Sequence, residues 1–255
     1  MSNVSVRPVV VDMTTTADAV SWAADYARRG GFSLRLVHDL RDLLSVGDPV
    51  TAVHPDVEVH REFTTGPVVD VLVTESETAH LVVVAHRRRN VVADLFDTPT
   101  AMAVSARASC PVVAVPPGTR VYDPYLPVVV GVHDGDDVPD LLALAFTEAE
   151  RLGTGVTVVR CAPRSDDARS DSVRSVVAEA ADRYPGVRVR TELITGSPAR
   201  GLAWHARFGS MVVLGSCGGF RSAGLSVLRH SAIPVFVRGS HALVPDRPAP
   251  TSDVN

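Results

Sequence analysis

Short runs of valine and leucine recur along the chain, each bounded by glycine, proline or acidic residues, with amphipathic stretches between them. In the second half, Val128–Val132 is an unbroken apolar run, as a strand buried on both faces requires. Asp136 and Asp137 follow as candidate caps of a helix with Pro139 in its first turn. Leu141, Leu144, Ala145, Ala149 and Leu152 then recur at helical spacing, and Gly153 supplies a C-terminal stop. Residues 155–162 predict a second strand, 172–184 a helix stopped by Pro185-Gly186, and the alternating 187–194 a third strand. A helix over 197–208, with Pro198 at its start, and strands over 211–214 and 234–237 complete the half. The first half reads the same way, with strands near Val9, Leu34, Val57, Leu81 and Val112. Strand and helix alternating in this order predict an α/β, doubly wound parallel sheet.

The two halves are versions of one pattern. Pro-Val-Val-Val begins at Pro8 and again at Pro127; Thr65-Gly66-Pro67 returns as Thr195-Gly196-Ser197-Pro198. The run from Leu81 matches that from Met211, and the run from Pro111 matches that from Pro234. Order is kept and spacing drifts little, so the chain divides into tandem units at 1–118 and 126–240. A linker rich in proline and turn residues lies between them over 116–125, and a polar, proline-rich tail over 241–255 is expected to be disordered. The last strand of each half would leave an unpaired sheet edge. The other half's equivalent strand is the simplest cover, so Pro111 to Val115 and Pro234 to Val237 are expected to meet, as an intramolecular pseudo-dimer.

Composition narrows the class. A formal charge of −4 gives no reason to expect nucleic acid as a partner, and no apolar run approaches the length of a membrane span. The start of the chain lacks the pattern of a secretory leader, and the three cysteines, Cys110, Cys161 and Cys217, have neither disulfide nor zinc spacing, so a cytoplasmic setting is expected. All 25 basic residues are arginine, which rules out a Walker A lysine, a Schiff-base lysine or a kinase-type strand lysine. There is no Gly-x-Ser-x-Gly elbow and no His-Glu-x-x-His helix, so catalysis is not expected.

Several stretches together carry a family likeness: the run from Val128 through Asp136, the one from Thr195 through Ala206, the one from Met211 through Phe220, and the one from Val227 through Val237. Their first-half counterparts begin at Val20, Thr64 and Ala106. With this set present in the same order twice, the chain resembles a tandem universal stress protein of the UspA type over almost its whole length. The resemblance implies a Rossmann-like fold of five parallel strands per half and frequent dimerisation through the last strand. Some members bind ATP, with an aspartate after the first strand and a loop of the form Gly-x2-Gly-x9-Gly-Ser/Thr after the fourth. Glycines there let backbone N–H groups approach phosphate at a helix N-terminus.

The second half keeps part of that pattern. Gly215 and Gly218 have the first spacing, Gly196 fits the turn after the third strand, and Asp134 lies near the family's aspartate, displaced by the inserted His133. Leu228 stands where the third glycine belongs; the nearest remaining match is Arg221-Ser222, which leaves the loop short, and Gly224 is a less natural candidate. The implied nucleotide-binding set is therefore Asp134, Gly196, Gly215, Gly218 and Ser222. The first half departs further. It has Ala85-His86-Arg87-Arg88 in place of Gly-x-x-Gly, Asp97-Thr98 in place of the closing pair, and Asp12 earlier than the family's aspartate.

Blander readings stand beside these. Gly215 and Gly218 also suit a sharp strand-to-helix turn with no ligand. Arg87 to Arg89 suit a solvated basic loop. Asp134, Asp136 and Asp137 suit helix capping, with a divalent ion held beside a nucleotide as the alternative. His38 is expected to be structural, Cys217 accessible, and Cys110 and Cys161 small buried residues. Two functions stay open: a stress-response protein whose second half binds ATP weakly, with no metal site of its own, and a ligand-free interaction scaffold of the same fold. Association of two chains into a homodimer stays open as well.

Overall fold

A computed structural model describes residues 7–13, 17–40, 54–85, 100–119, 125–133, 137–162, 167–215 and 221–238. The first half runs β1 (Val9–Asp12), α1 (Ala17–Gly30), β2 (Leu34–Asp39), β3 (Val59–Thr64), α2 (Val68–Ser76), β4 (Leu81–Ala85), α3 (Thr100–Ser105) and β5 (Val112–Val115). The second runs β6 (Val128–Val132), α4 (Val138–Leu152), β7 (Val156–Ala162), α5 (Asp167–Arg183), β8 (Val189–Thr195), α6 (Pro198–Ala206), β9 (Met211–Gly215), α7 (Arg221–His230) and β10 (Val235–Arg238). Most of the linker, at 120–124, and the whole tail from 241 lie outside the described residues. Among the described residues, no helix is long and apolar enough to cross a membrane.

The apolar runs behave as their composition dictates. β1, β5 and β6 are buried at every position, and they occupy the middle of the sheet where helices cover both faces. β3 and β8 are mostly exposed and form the two outer edges. α4 ends where Gly153 turns left-handed at φ 66°, and Gly31 closes α1 in the same way at φ 65°. Three expected boundaries shift. α5 starts earlier than residue 172, α6 stops at Ala206 with Arg207 as its C-cap, and β3 begins at Val59, leaving Val57 buried in the preceding turn.

All ten strands form one sheet, in the order β3-β2-β1-β4-β5-β10-β9-β6-β7-β8. Pairing is parallel within each half and antiparallel at one place, where Val235, Phe236 and Val237 of β10 face Ala114, Val113 and Val112 of β5. The strands expected to cover each other's open edges do so. One core layer packs α1, α4 and α5 against one face of the sheet and runs through both halves. The other packs α2, α3, α6 and α7 against the opposite face. Cys110 is buried at the entry to β5, and burial pushes its thiol up to about 12, which makes it a packing residue.

Candidate functional site

In a sheet wound this way, the strand order reverses beside the first strand, between β1 and β4 in one half and between β6 and β9 in the other. Strands diverge there, and the carboxyl ends form a crevice under helix N-termini. In the second half, the described residues around that crevice are His133 after β6, Asp137 before α4, Gly215 at the end of β9 and Arg238 at the end of β10. Gly196 forms the turn between β8 and α6 at φ 98°, and its counterpart Gly66 has φ 141°, values that side chains rarely adopt. The repeated glycine of the Thr-Gly pair is thus a backbone requirement of the fold.

Of the residues expected to hold nucleotide, Gly215 and Gly196 are placed at the carboxyl edge. Ser222 falls in the first turn of α7, and its side chain lies outside the described residues, as do Asp134 and Gly218 entirely. The arginines at 87 to 89, Asp97-Thr98 and Cys217 also lie outside them. Asp12 ends β1 and is buried. His38 is buried in β2 with its ring stacked on Phe63 at 5.1 Å, as a structural histidine should be.

Asp137 corrects an expectation. It is the N-cap residue of α4, yet its side chain makes no capping hydrogen bond. Its backbone sits at φ −86°, ψ −6°, in the helical region, whereas a capping side chain folds back from extended backbone. The carboxylate lies over the end of β9 instead. A Cβ built on Gly215 would stand 2.6 Å from Asp137 Oδ2 and 3.5 Å from Leu141 Cδ1. His133 Nδ1 lies 3.9 Å from Asp137 Oδ1. The bare backbone at Gly215 is therefore space that Asp137 enters, and any anion placed there meets a carboxylate first. Next to it, Asp140 accepts a hydrogen bond from Arg238 at 2.6 Å, tying α4 to the exit of β10. In the first half, Asp18 in the first turn of α1 likewise accepts from the backbone N–H of Gly118, just beyond β5, at 2.9 Å. Among the described residues, no group of His, Cys, Asp and Glu could hold a metal ion by itself.

A second polar cluster, between the halves, escaped the sequence reading. Tyr26 of α1 donates to Glu148 Oε1 of α4 at 2.8 Å, and Arg151 donates to both the Tyr26 hydroxyl and Glu148. His80, at the start of β4, lies 3.3 Å from the Tyr26 hydroxyl and stacks on Phe32 at 4.1 Å. Burial lowers the His80 imidazole to about 3, helped by the positive charges of Arg151 and Arg7. Burial also raises the Glu148 carboxyl and outweighs the pull of Arg151. One signal was legible: Glu148 falls on the same helical face as Leu141, Leu144, Ala145 and Leu152, where a carboxylate has no place without partners.

Comparison with known proteins agrees with this architecture. Residues 44–116 match the Universal stress protein family. A universal stress protein of Mycobacterium tuberculosis H37Rv is 25% identical, covering 98% of this chain and 89% of its own length. A second from the same strain is 29% identical over 71% of this chain and 69% of its own. Among solved structures, a universal stress protein of Archaeoglobus fulgidus superposes with a TM-score of 0.69 at 16% identity, covering 92% of this chain and 98% of that one. A functionally unknown Pseudomonas aeruginosa protein gives 0.62 at 14% identity, covering 92% of each.

Proposed function

We propose, from the premise that this chain is a member of the universal stress protein family, that it serves a stress response by binding rather than turnover, and that its second half takes ATP weakly at the carboxyl edge beside Gly215. One contrast carries the reading. Paired with β1 and β6 in the same register, β4 ends in Ala85 while β9 ends in Gly215, so only the second half has bare backbone there. Backbone of that kind, below a helix N-terminus at a switch point, is where phosphate can approach N–H groups. The Asp137 carboxylate over Gly215 sets the terms: phosphates enter only with a divalent cation between them and Asp137. Affinity is then expected on the order of 1 mM.

Calorimetry with ATP tests this, with and without Mg2+, on the intact chain and on Gly215→Val and Asp137→Asn. Weak heat that requires Mg2+, vanishes in Gly215→Val and loses its Mg2+ requirement in Asp137→Asn is the expected pattern. No heat under any condition removes the nucleotide and leaves the second reading, a ligand-free interaction scaffold. That reading draws on the same Asp137 carboxylate, standing where a phosphate oxygen would go. Adenine nucleotide released on denaturing the purified protein would overturn it.

A further inference from the structure

A cleft of about 330 Å³ opens between the halves, at the amino-terminal ends of β9 and β10 and away from Gly215. That volume lies in the range of small-molecule sites, roughly 300–1,000 Å³. One wall is α1, which contributes Trp22 and Tyr26 with rings stacked 5.2 Å apart at 23°. Both rest on Phe236 of β10, at 5.9 and 6.2 Å, so the aromatic wall is fixed from behind by the strand that joins the halves. The facing wall is apolar, from Met211, Ile233 and Pro234.

The polar groups of the cleft define the guest. Asp25 accepts from Arg29 at 2.6 Å and from Arg28 at 3.1 Å, so its charge is already met within α1. The cleft lining carries one carboxylate and one guanidinium, Asp25 and Arg29, which pair with each other, so a charged guest would lose hydration and meet no net opposite charge on the lining. Thr119 Oγ1 donates to the Pro116 carbonyl at 2.5 Å, and Ser210 Oγ donates to the Pro127 carbonyl at 3.3 Å. Each hydroxyl has spent its hydrogen and can only accept from a guest.

The other side of the junction shows that the opening is particular to this position. His80 and Ser210 correspond, since each donates its backbone N–H to the proline before the first strand of its half, Pro8 at 2.8 Å and Pro127 at 2.9 Å. Beside His80 the space is filled by Tyr26, Glu148 and Arg151. Beside Ser210 it is left as the cleft.

We propose that this cleft binds a small neutral aromatic molecule that carries a hydrogen-bond donor, a phenol or an aromatic N–H compound. The ring lies against Trp22 and Tyr26, and the donor meets Thr119 Oγ1. The site is separate from the nucleotide edge and does not depend on it. The chain has 2 tryptophans, and Trp204 is 56% exposed on α6, so Trp204→Phe leaves Trp22 as the reporter. In that background, equilibrium dialysis and Trp22 emission are followed with 2-naphthol, naphthalene and 2-naphthoate at neutral pH. 2-Naphthol is expected to bind and shift Trp22 emission. Naphthalene is expected to bind about fivefold more weakly, the worth of one hydrogen bond, and 2-naphthoate at least about tenfold more weakly. Ala232→Phe, at the exposed rim, should block the guest with no change in melting temperature, and Thr119→Val should bring 2-naphthol down to the level of naphthalene. The proposal is overturned if 2-naphthol leaves Trp22 emission unchanged, if 2-naphthoate binds best, if both variants bind 2-naphthol like the parent, or if excess ATP displaces it.

Discussion

Glu148 is 1% exposed, and among the described residues its Oε2 meets no hydrogen-bond donor, while Oε1 takes both Tyr26 and Arg151. A half-satisfied buried carboxyl is costly when ionised, and the cost takes opposite signs for Glu148 and its neighbour His80. The Glu148 carboxyl titrates above its ordinary 4.5 in the fold, so its contribution is complete below that pH and is lost as pH rises toward the raised value. His80 falls from 6.5 to about 3, so its contribution is complete above pH 6.5 and is lost as pH falls toward 3. Replacing His80 by Gln should therefore flatten the acid-side loss of stability between pH 6.5 and 3. The slope removed is at most about 1.4 kcal/mol per pH unit, one proton's worth, read from urea midpoints at each pH. An unchanged acid limb would mean that His80 is charged in the fold.

At the scale of helices and strands, the apolar period placed most elements, and the left-handed Gly153 ended α4 where it was expected. What periodicity could not show was crowding. Gly155, before β7, reads as an ordinary strand entrance, but a Cβ there would stand 2.8 Å from the Arg188 carbonyl oxygen, which is backbone and yields little. Gly155→Ala should cost about 1–3 kcal/mol, seen as a lowered urea midpoint with unchanged slope. Gly186, whose added Cβ would meet nothing within 4 Å, is the control. The same limit explains Asp137. Sequence places an acid before α4 and a glycine at the end of β9, and both suit a nucleotide edge, but only three dimensions show the carboxylate lying on that glycine. Residue 134 and the loop from 216 to 220, which carry the rest of the family's pattern, lie outside the described residues, so the motif there is legible in sequence alone.

For the molecule as a whole, the repeat was the most legible feature, because matching runs in matching order survive changes in loop length. The junction was legible too, since an apolar last strand in each half demands a neighbour. Its chemistry was not, because Tyr26 and His80 of the first half are far in sequence from the Glu148–Arg151 pair of α4, and the two sets meet where the β5–β10 ladder joins the halves. Phe236, fully buried at that ladder, should lower stability by about 3–5 kcal/mol when cut to Ala. Calorimetry is expected to show the halves melting as one unit in the parent and separating in Phe236→Ala. A single sharp transition in the variant would show that coupling runs elsewhere. Tyr26 and Glu148 precede Gly31 and Gly153 by the same number of positions, yet they bond to each other. In an assembly of identical units about a two-fold axis, a residue at the axis must face its own copy. Two second halves joined this way would press Glu148 against Glu148 in a dry contact, and two first halves would set phenol against phenol. Carrying both halves in one chain removes that constraint: each half is free to be the other's complement and a poor match for itself.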